Sequence, residues 1–372
     1  MASRHSRPDH ACPDCFAHQW LREYAEEEST HRGSCPSCGR RNKPLVSVYK
    51  LYEPFHNLIS SYEPADGPPM ERGTPIVMLI QDDWGVFSER LVDLNREGPL
   101  LEAIMEAGWD DDSGEPLLSA YDPYVDSHWY HETLDEIWEE FAYEVKRDPT
   151  RPLQFRDADF DDFLIREDLF GRRIVRLPAG TIFYRARPGF ARDAEGIKPY
   201  SGSEIGAPPP EKASPGRANP EGKPVLYCAD EEGTAVAEVR PARGEYVSVA
   251  RLRVLKELEV LDLVSEPEWP NPFTSEGDVN YWVEFGRLLM ALGEQLKNPL
   301  RARDDPTDYI PSQKLTEFIA SSGADGIRYP SAMEPGGTNV VLFDPSTVEI
   351  GPSRLVEIAA VRIEYGEPDE TM

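Results

Sequence analysis

Pro-Gly-Arg-Ala-Asn-Pro-Glu-Gly-Lys-Pro-Val-Leu-Tyr-Cys-Ala, residues 215–229, reads as a Gly/Pro turn that hands the chain into a short apolar strand. The turn delivers Arg217, and the strand carries Tyr227. The same texture extends on both sides. Short apolar runs at Arg173–Leu177, Ile182–Tyr184, Val225–Cys228, Tyr246–Leu252, Leu258–Leu263, Gly326–Tyr329 and Val340–Phe343 predict strands. Helical stretches at Thr234–Val239, Tyr281–Leu296 and Pro311–Ser322 interrupt them without regular alternation, which predicts an α+β fold for this half.

Upstream the pattern changes. Arg-Asp-Pro-Thr-Arg-Pro (147–152) predicts a linker, and the stretch from Pro54 to about Thr150 reads as mainly helical. Its clearest helix runs over 133–145. Leu134, Ile137, Trp138, Phe141 and Val145 form one apolar stripe, with Thr133 as N-cap and Glu136 at the capping-box position. The predicted organisation is a small module at 1–45, a helical domain at 46–150 and the α+β domain at 151–372.

The first module carries Cys12-x-x-Cys15 and, nineteen residues on, Cys35-x-x-Cys38. That spacing fits a four-thiolate zinc site better than a secreted disulfide framework. Four thiolates leave no open coordination position, so a Zn2+ ion here would be structural. His10, His18 and His31 could substitute as ligands, but four cysteines satisfy the count. Cys228, inside Val-Leu-Tyr-Cys-Ala, reads as a small buried residue rather than a nucleophile.

A net charge of −29 opposes binding to a polyanion, which weighs against nucleic acid as a partner. No run of eighteen apolar residues exists, so no membrane span is expected. The N-terminus lacks the apolar centre of a signal peptide, which predicts a cytoplasmic protein.

All seven histidines lie at or before His131, so the α+β half has none. Ser-His and Cys-His hydrolysis, and histidine metal sites, are therefore not expected there. Arginine, tyrosine, glutamate, serine and asparagine remain. They suit a substrate with phosphates and a bond that breaks through a cationic sugar. Cleaving a nicotinamide N-glycosidic bond builds positive charge on the ribose, as in glycoside hydrolysis. A carboxylate beside the ribose stabilises that charge, and arginine grips a pyrophosphate with a planar fork. Nicotinamide leaves neutral, so no histidine is needed.

Four blocks carry these residues: Phe-Tyr-Arg-Ala-Arg-Pro (183–188), the turn and strand at 215–229, Thr-Ala-Val-Ala-Glu-Val-Arg-Pro (234–241), and Asp-Gly-Ile-Arg-Tyr-Pro-Ser-Ala with Gly-Gly-Thr-Asn-Val-Val-Leu-Phe within 325–343. Taken in order, about half the chain resembles the RES domain, a family named for arginine, glutamate and serine. Its members are best known as toxins of bacterial toxin–antitoxin pairs. The resemblance implies a mixed sheet similar to that of ADP-ribosyltransferase toxins, and degradation of NAD by glycohydrolase or phosphorylase chemistry. It implies catalytic roles for Arg185, Glu238 and Ser331, substrate contacts from Arg217, Tyr227 and Asn339, and an antitoxin protein as partner. ADP-ribose transfer to a macromolecule, or a non-catalytic interaction module, stays open.

Two departures stand out. Small RES toxins often carry Trp where this chain has Ala218, and the loop 189–214 is longer than usual. Each residue also has a purely structural alternative. Glu238 could be a buried ion-pair partner, Tyr227 core packing, Ser331 a turn residue, and Arg187, Arg240 and Arg243 surface charges. The helical stretch before the RES-like half resembles the HEPN-like domain of longer family members. The Arg-x(4–6)-His motif of HEPN ribonucleases is absent from it, and Arg4 with His10 matches only in the terminal tail. This implies a sensor, scaffold or regulator. His128 and His131 could suggest a metal site, although before a helix they read as capping and packing residues.

Overall fold

A computed structural model describes residues 7–62, 64–65, 73–109, 117, 119–125, 133–155, 158–159, 173–265, 271–274, 279–297 and 306–362. His128 and His131 lie outside them. The chain divides into two compact units, residues 1–132 with 269–284, and residues 133–268 with 285–372.

In the first unit, strands β1 (His10–Ala11), β2 (His31–Gly33) and β3 (Lys43–Ser47) form a small antiparallel sheet in the order β1-β3-β2. Helix α1 (Gln19–Glu27) lies between the first two strands in sequence. Helices α2 (Val48–Ile59), α3 (Ile76–Trp84), α4 (Glu89–Asp93) and α5 (Glu97–Gly108) follow. β3 runs straight into α2, whose N-cap Ser47 accepts a hydrogen bond from Tyr49 N. The four cysteines, Leu21, Phe55, Phe87 and Leu101 belong to one continuous apolar core. The cysteine module and the helices therefore share a core rather than owning one each. Phe273 joins it, with its ring stacked 5.6 Å from Trp20 and its carbonyl accepting from Asn57.

In the second unit, helix α6 (Leu134–Arg147) begins with the expected capping box. Thr133 Oγ1 accepts from Glu136 N, and Thr133 N donates to the Glu136 carboxylate at 2.7 Å. Ile137, Trp138, Phe141 and Val145 are its buried face. Burying each large apolar side chain contributes about 1.5–3 kcal/mol.

The sheet has eight strands. In chain order they are β4 (Ile174–Leu177), β5 (Ile182–Pro188), β6 (Leu226–Ala229), β7 (Tyr246–Val254), β8 (Leu258–Asp262), β9 (Gly326–Pro330), β10 (Thr338–Leu342) and β11 (Val348–Glu357). Their spatial order is β11-β7-β5-β6-β10-β9-β8-β4. Only β8 and β9 are parallel neighbours; every other pair is antiparallel. A parallel pair requires a crossover, and helices α8 (Val279–Lys297) and α9 (Ile310–Ser321) lie in that connection. Helix α7 (Glu232–Glu238) follows β6. This is the mixed sheet within an α+β chain that the sequence predicted.

The grouping into units differs from the expected boundaries at two places. α6 clusters with the sheet-bearing half, because its apolar stripe packs on α9 and Lys146 pairs with Asp308 at 2.5 Å. Residues 269–284 group with the first unit, where Phe273 is buried.

Candidate functional site

Strand alternation sorts the side chains of the sheet. On one face Phe183, Leu226, Cys228, Leu252, Val260, Val340 and Leu342 pack into an apolar core. The opposite face carries a row set by direct pairing: Tyr184 faces Ala229, Ala229 faces Asn339, and Asn339 faces Tyr329. Small Ala229 between larger neighbours leaves a hollow. A cavity of about 390 Å³ opens there, lined by residues that include Tyr184, Arg217, Tyr227, Glu238, Tyr309 and Asn339.

Glu238 reaches the cavity from the end of α7. Its Oε1 accepts from Ser331 Oγ at 2.7 Å and from Asn339 Nδ2 at 2.6 Å. Ser331 is itself held, its Oγ accepting from Met333 N and Glu334 N, each at 3.1 Å. Oε2 of Glu238 has no hydrogen-bond partner among the described residues, and no cation there pairs with the carboxylate. The ion-pair alternative therefore finds no partner among the described residues.

Tyr227 hangs from β6. Its hydroxyl donates to Asn219 Oδ1 and accepts from Ala218 N, both at 3.0 Å, so it pins the 215–219 turn. Arg217 lines the cavity with its guanidinium 5.9 Å from the Tyr329 ring centroid. It also donates to the carbonyls of Leu296 and Lys297, the last of α8, where orphan acceptors and the helix dipole favour a cation.

Arg185 differs most from its sequence reading. β5 and β6 are paired only at Tyr184 and Ala229, and Arg185 stands where they part. Its Nε donates to Ile205 O at 2.7 Å and its Nη1 to Tyr227 O at 2.5 Å, while burial lowers its pKa. It borders the cavity, yet two of its nitrogens hold backbone. Arg185→Ala is expected to cost stability, about 1–3 kcal/mol for each carbonyl left unpaired. A thermal melt checks this, and an unchanged melting temperature would count against the bracing role.

The long loop 189–214 is built rather than open. It contains a hairpin, Ala191–Asp193 with Gly196–Lys198. Ser248 ties its ends together by accepting from Tyr200 N and donating to Gly189 O. Arg187 lies 4.2 Å from the Tyr200 ring centroid. Cys228 is buried, donates to Val340 O, and has its thiol pushed up to about 12 by desolvation, which suits packing rather than nucleophilic attack.

Tyr184, Tyr309 and Tyr329 were not singled out in the sequence. Tyr184 and Tyr329 sit inside quoted blocks, and alternation from Ala229 and Asn339 is the signal that finds them once pairing is known. Tyr309 has no such signal, because it arrives from the crossover after β8.

The four N-terminal cysteines are all buried, and their sulfurs lie within 4.8 Å of one another. Individual separations are 3.9 Å for Cys12–Cys15, 3.5 Å for Cys12–Cys38 and 3.6 Å for Cys15–Cys35. A tetrahedral ion with metal–sulfur bonds of about 2.3 Å sets its thiolates about 3.8 Å apart, so the cluster has the right size for a metal ion. Contacts with Cys12 and Cys35 push the Cys15 thiol far up, whereas Cys12, Cys15 and Cys35 together pull Cys38 down. The second knuckle turns at Gly39, whose φ of +76° suits glycine. Arg90 and Arg96 anchor that turn by donating to Cys38 O and Ser37 O.

No curated protein matches the chain. Among solved structures it is similar to "Crystal structure of the M.tuberculosis MbcT-MbcA toxin-antitoxin complex", at 18% identity and a TM-score of 0.30, over 52% of this chain and 92% of that one. The RES domain family matches residues 182–359, the span that holds the cavity and its carboxylate. By that match residues 182–359, just under half of the chain, are similar to the RES domain family.

Proposed function

We propose that the cavity degrades NAD by cleaving the nicotinamide–ribose bond. The observation that carries this reading is the Glu238 carboxylate, fixed through one oxygen by Ser331 and Asn339 and, among the described residues, unpaired with a cation at the other. A preorganised negative charge of this kind stabilises the cationic ribose of the transition state. Tyr184, Tyr309 and Tyr329 provide aromatic surface for the nicotinamide ring. Arg217, which lines the cavity, supplies the positive charge for the pyrophosphate in this reading, and Arg185 braces the wall through Tyr227 O. The acceptor is water or inorganic phosphate.

Incubation of the purified chain with NAD, with and without phosphate, tests the proposal. Free nicotinamide is expected, together with ADP-ribose or its 1-phosphate according to the acceptor. Label transferred to a macromolecule would replace this reading with ADP-ribosyl transfer, and intact NAD would leave an interaction module.

We further propose that the thiolate cluster holds Zn2+ as a structural ion, that residues 46–150 act as a HEPN-like regulatory part, and that the chain is a cytoplasmic toxin partnered by an antitoxin protein. The family match over residues 182–359 supports the last of these. No helix among the described residues is long and apolar enough to cross a membrane.

A further inference from the structure

The Glu238 carboxylate is only as well placed as the loop that brings Ser331 to it. That loop, 331–337, closes on itself: Ser331 N donates to Gly337 O, and Gly337 N to Glu334 O, both at 2.9 Å. Its far end is fixed where Thr338 N donates to the Asp230 carboxylate at 3.2 Å, and Asp230 N to Thr338 O. Between these anchors Gly337 lies directly on helix α7, the helix that carries Glu238. A Cβ at Gly337 would stand 2.6 Å from Thr234 Oγ1 and 2.9 Å from Thr234 Cγ2. Thr234 is fully buried, and its hydroxyl has no hydrogen-bond partner among the described residues.

Two adjacent glycines play different parts here. Gly336 has a φ of +79° and meets the backbone demand of the turn. Gly337 is outside the positive-φ region, so its backbone accepts any side chain, and what forbids one is space, chiefly against Thr234 and less tightly against Glu334 O at 3.1 Å. The absent side chain thus sets the distance between the serine loop and the glutamate helix.

We propose that Gly337 and Thr234 form a spacing contact that positions Ser331 on Glu238, making Gly337 a positioning residue for the reaction. This rests on the reading that Glu238 acts on NAD. With a methyl group at 337, either the loop or α7 must move by several tenths of an ångström. Either movement lengthens the 2.7 Å bond from Ser331 Oγ to Glu238 Oε1. Tyr184, Arg217, Tyr227 and Tyr309, which line other parts of the cavity, come from other segments.

The test is a steric rescue in the full chain. Gly337→Ala is expected to lower kcat for NAD by about 10–100-fold with little change in KM, the scale of a small misplacement of a catalytic group. Adding Thr234→Ala removes the two closest atoms that the new methyl group meets and leaves the milder 3.1 Å approach to Glu334 O, so the double variant is expected to recover most of the rate measured for Thr234→Ala alone. Thr234→Val keeps the bulk and should give no recovery, which separates spacing from any role of the hydroxyl. Thermal melts recorded beside the rates should follow the same pattern of loss and recovery. A Gly337→Ala variant at the parent rate, or a loss that Thr234→Ala does not repair, would overturn the proposal. Failure of the underlying reading looks different: the parent chain itself leaves NAD intact, while the melts still show the clash and its relief.

Discussion

Glu238→Gln is expected to slow NAD cleavage by about 10²–10³-fold, the usual worth of one preorganised electrostatic group in a dry site. The amide keeps the shape of the side chain, and its oxygen can still accept from Ser331 and Asn339. Only the charge facing the ribose is lost. That charge matters in the transition state, where the sugar becomes cationic, and little in the ground state, so kcat should fall far more than affinity for NAD. Affinity could even rise slightly, because repulsion of the substrate phosphates is relieved. Because no ion pair among the described residues depends on Glu238, the melting temperature of the variant should stay near that of the parent. Single-turnover rates and a melt together decide the matter. A variant with the parent rate would place the catalytic carboxylate elsewhere, and joint loss of fold and rate would make Glu238 a structural residue.

Removing the proposed Zn2+ ion should have the largest structural effect. Elemental analysis is expected to give about one zinc per chain. Structural zinc sites contribute on the order of 10 kcal/mol to folding, because the site does not exist in the unfolded chain. Cys15→Ser, or strong chelation, is therefore expected to unfold the small sheet and to loosen the helices with it. The reason is the shared core, in which Cys15 and Cys35 are buried together with Phe55 and Phe87. Hydrogen exchange would read this as lost amide protection from Ala11 through at least α2. A metal-free chain that keeps that protection would refute the idea, as would a preparation that binds no metal.

Much of the organisation was legible in the residues. The order of the four blocks indicated a RES domain, and short apolar runs between Gly/Pro turns indicated α+β. Both are local signals of pattern and spacing, and long-range packing does not rewrite them. The capping box at Thr133 and Glu136 is likewise local. Edge strand β11 escaped because it is mostly half-exposed and includes Gly351 and Pro352, so it shows no apolar run; eight residues of its pairing with β7 define it instead. The unit boundaries depend on which apolar stripe finds which partner. α6 looks the same in sequence whether it packs on helices before it or on α9 after it.

In the candidate site, the residues alone specified which chemical groups are available: a carboxylate on a short helix among arginines and tyrosines, a histidine-free half, and two cysteine pairs at metal spacing. What each group faces follows from long-range packing. Arg185 and Arg217 resemble phosphate ligands in sequence, but a guanidinium donates to whatever acceptor the fold supplies, and here backbone carbonyls take several of those bonds. Tyr309 enters the cavity, and Gly337 meets Thr234, across more than one hundred residues in the latter case. Contacts of that range follow from sheet order and helix crossover, which local propensity does not encode.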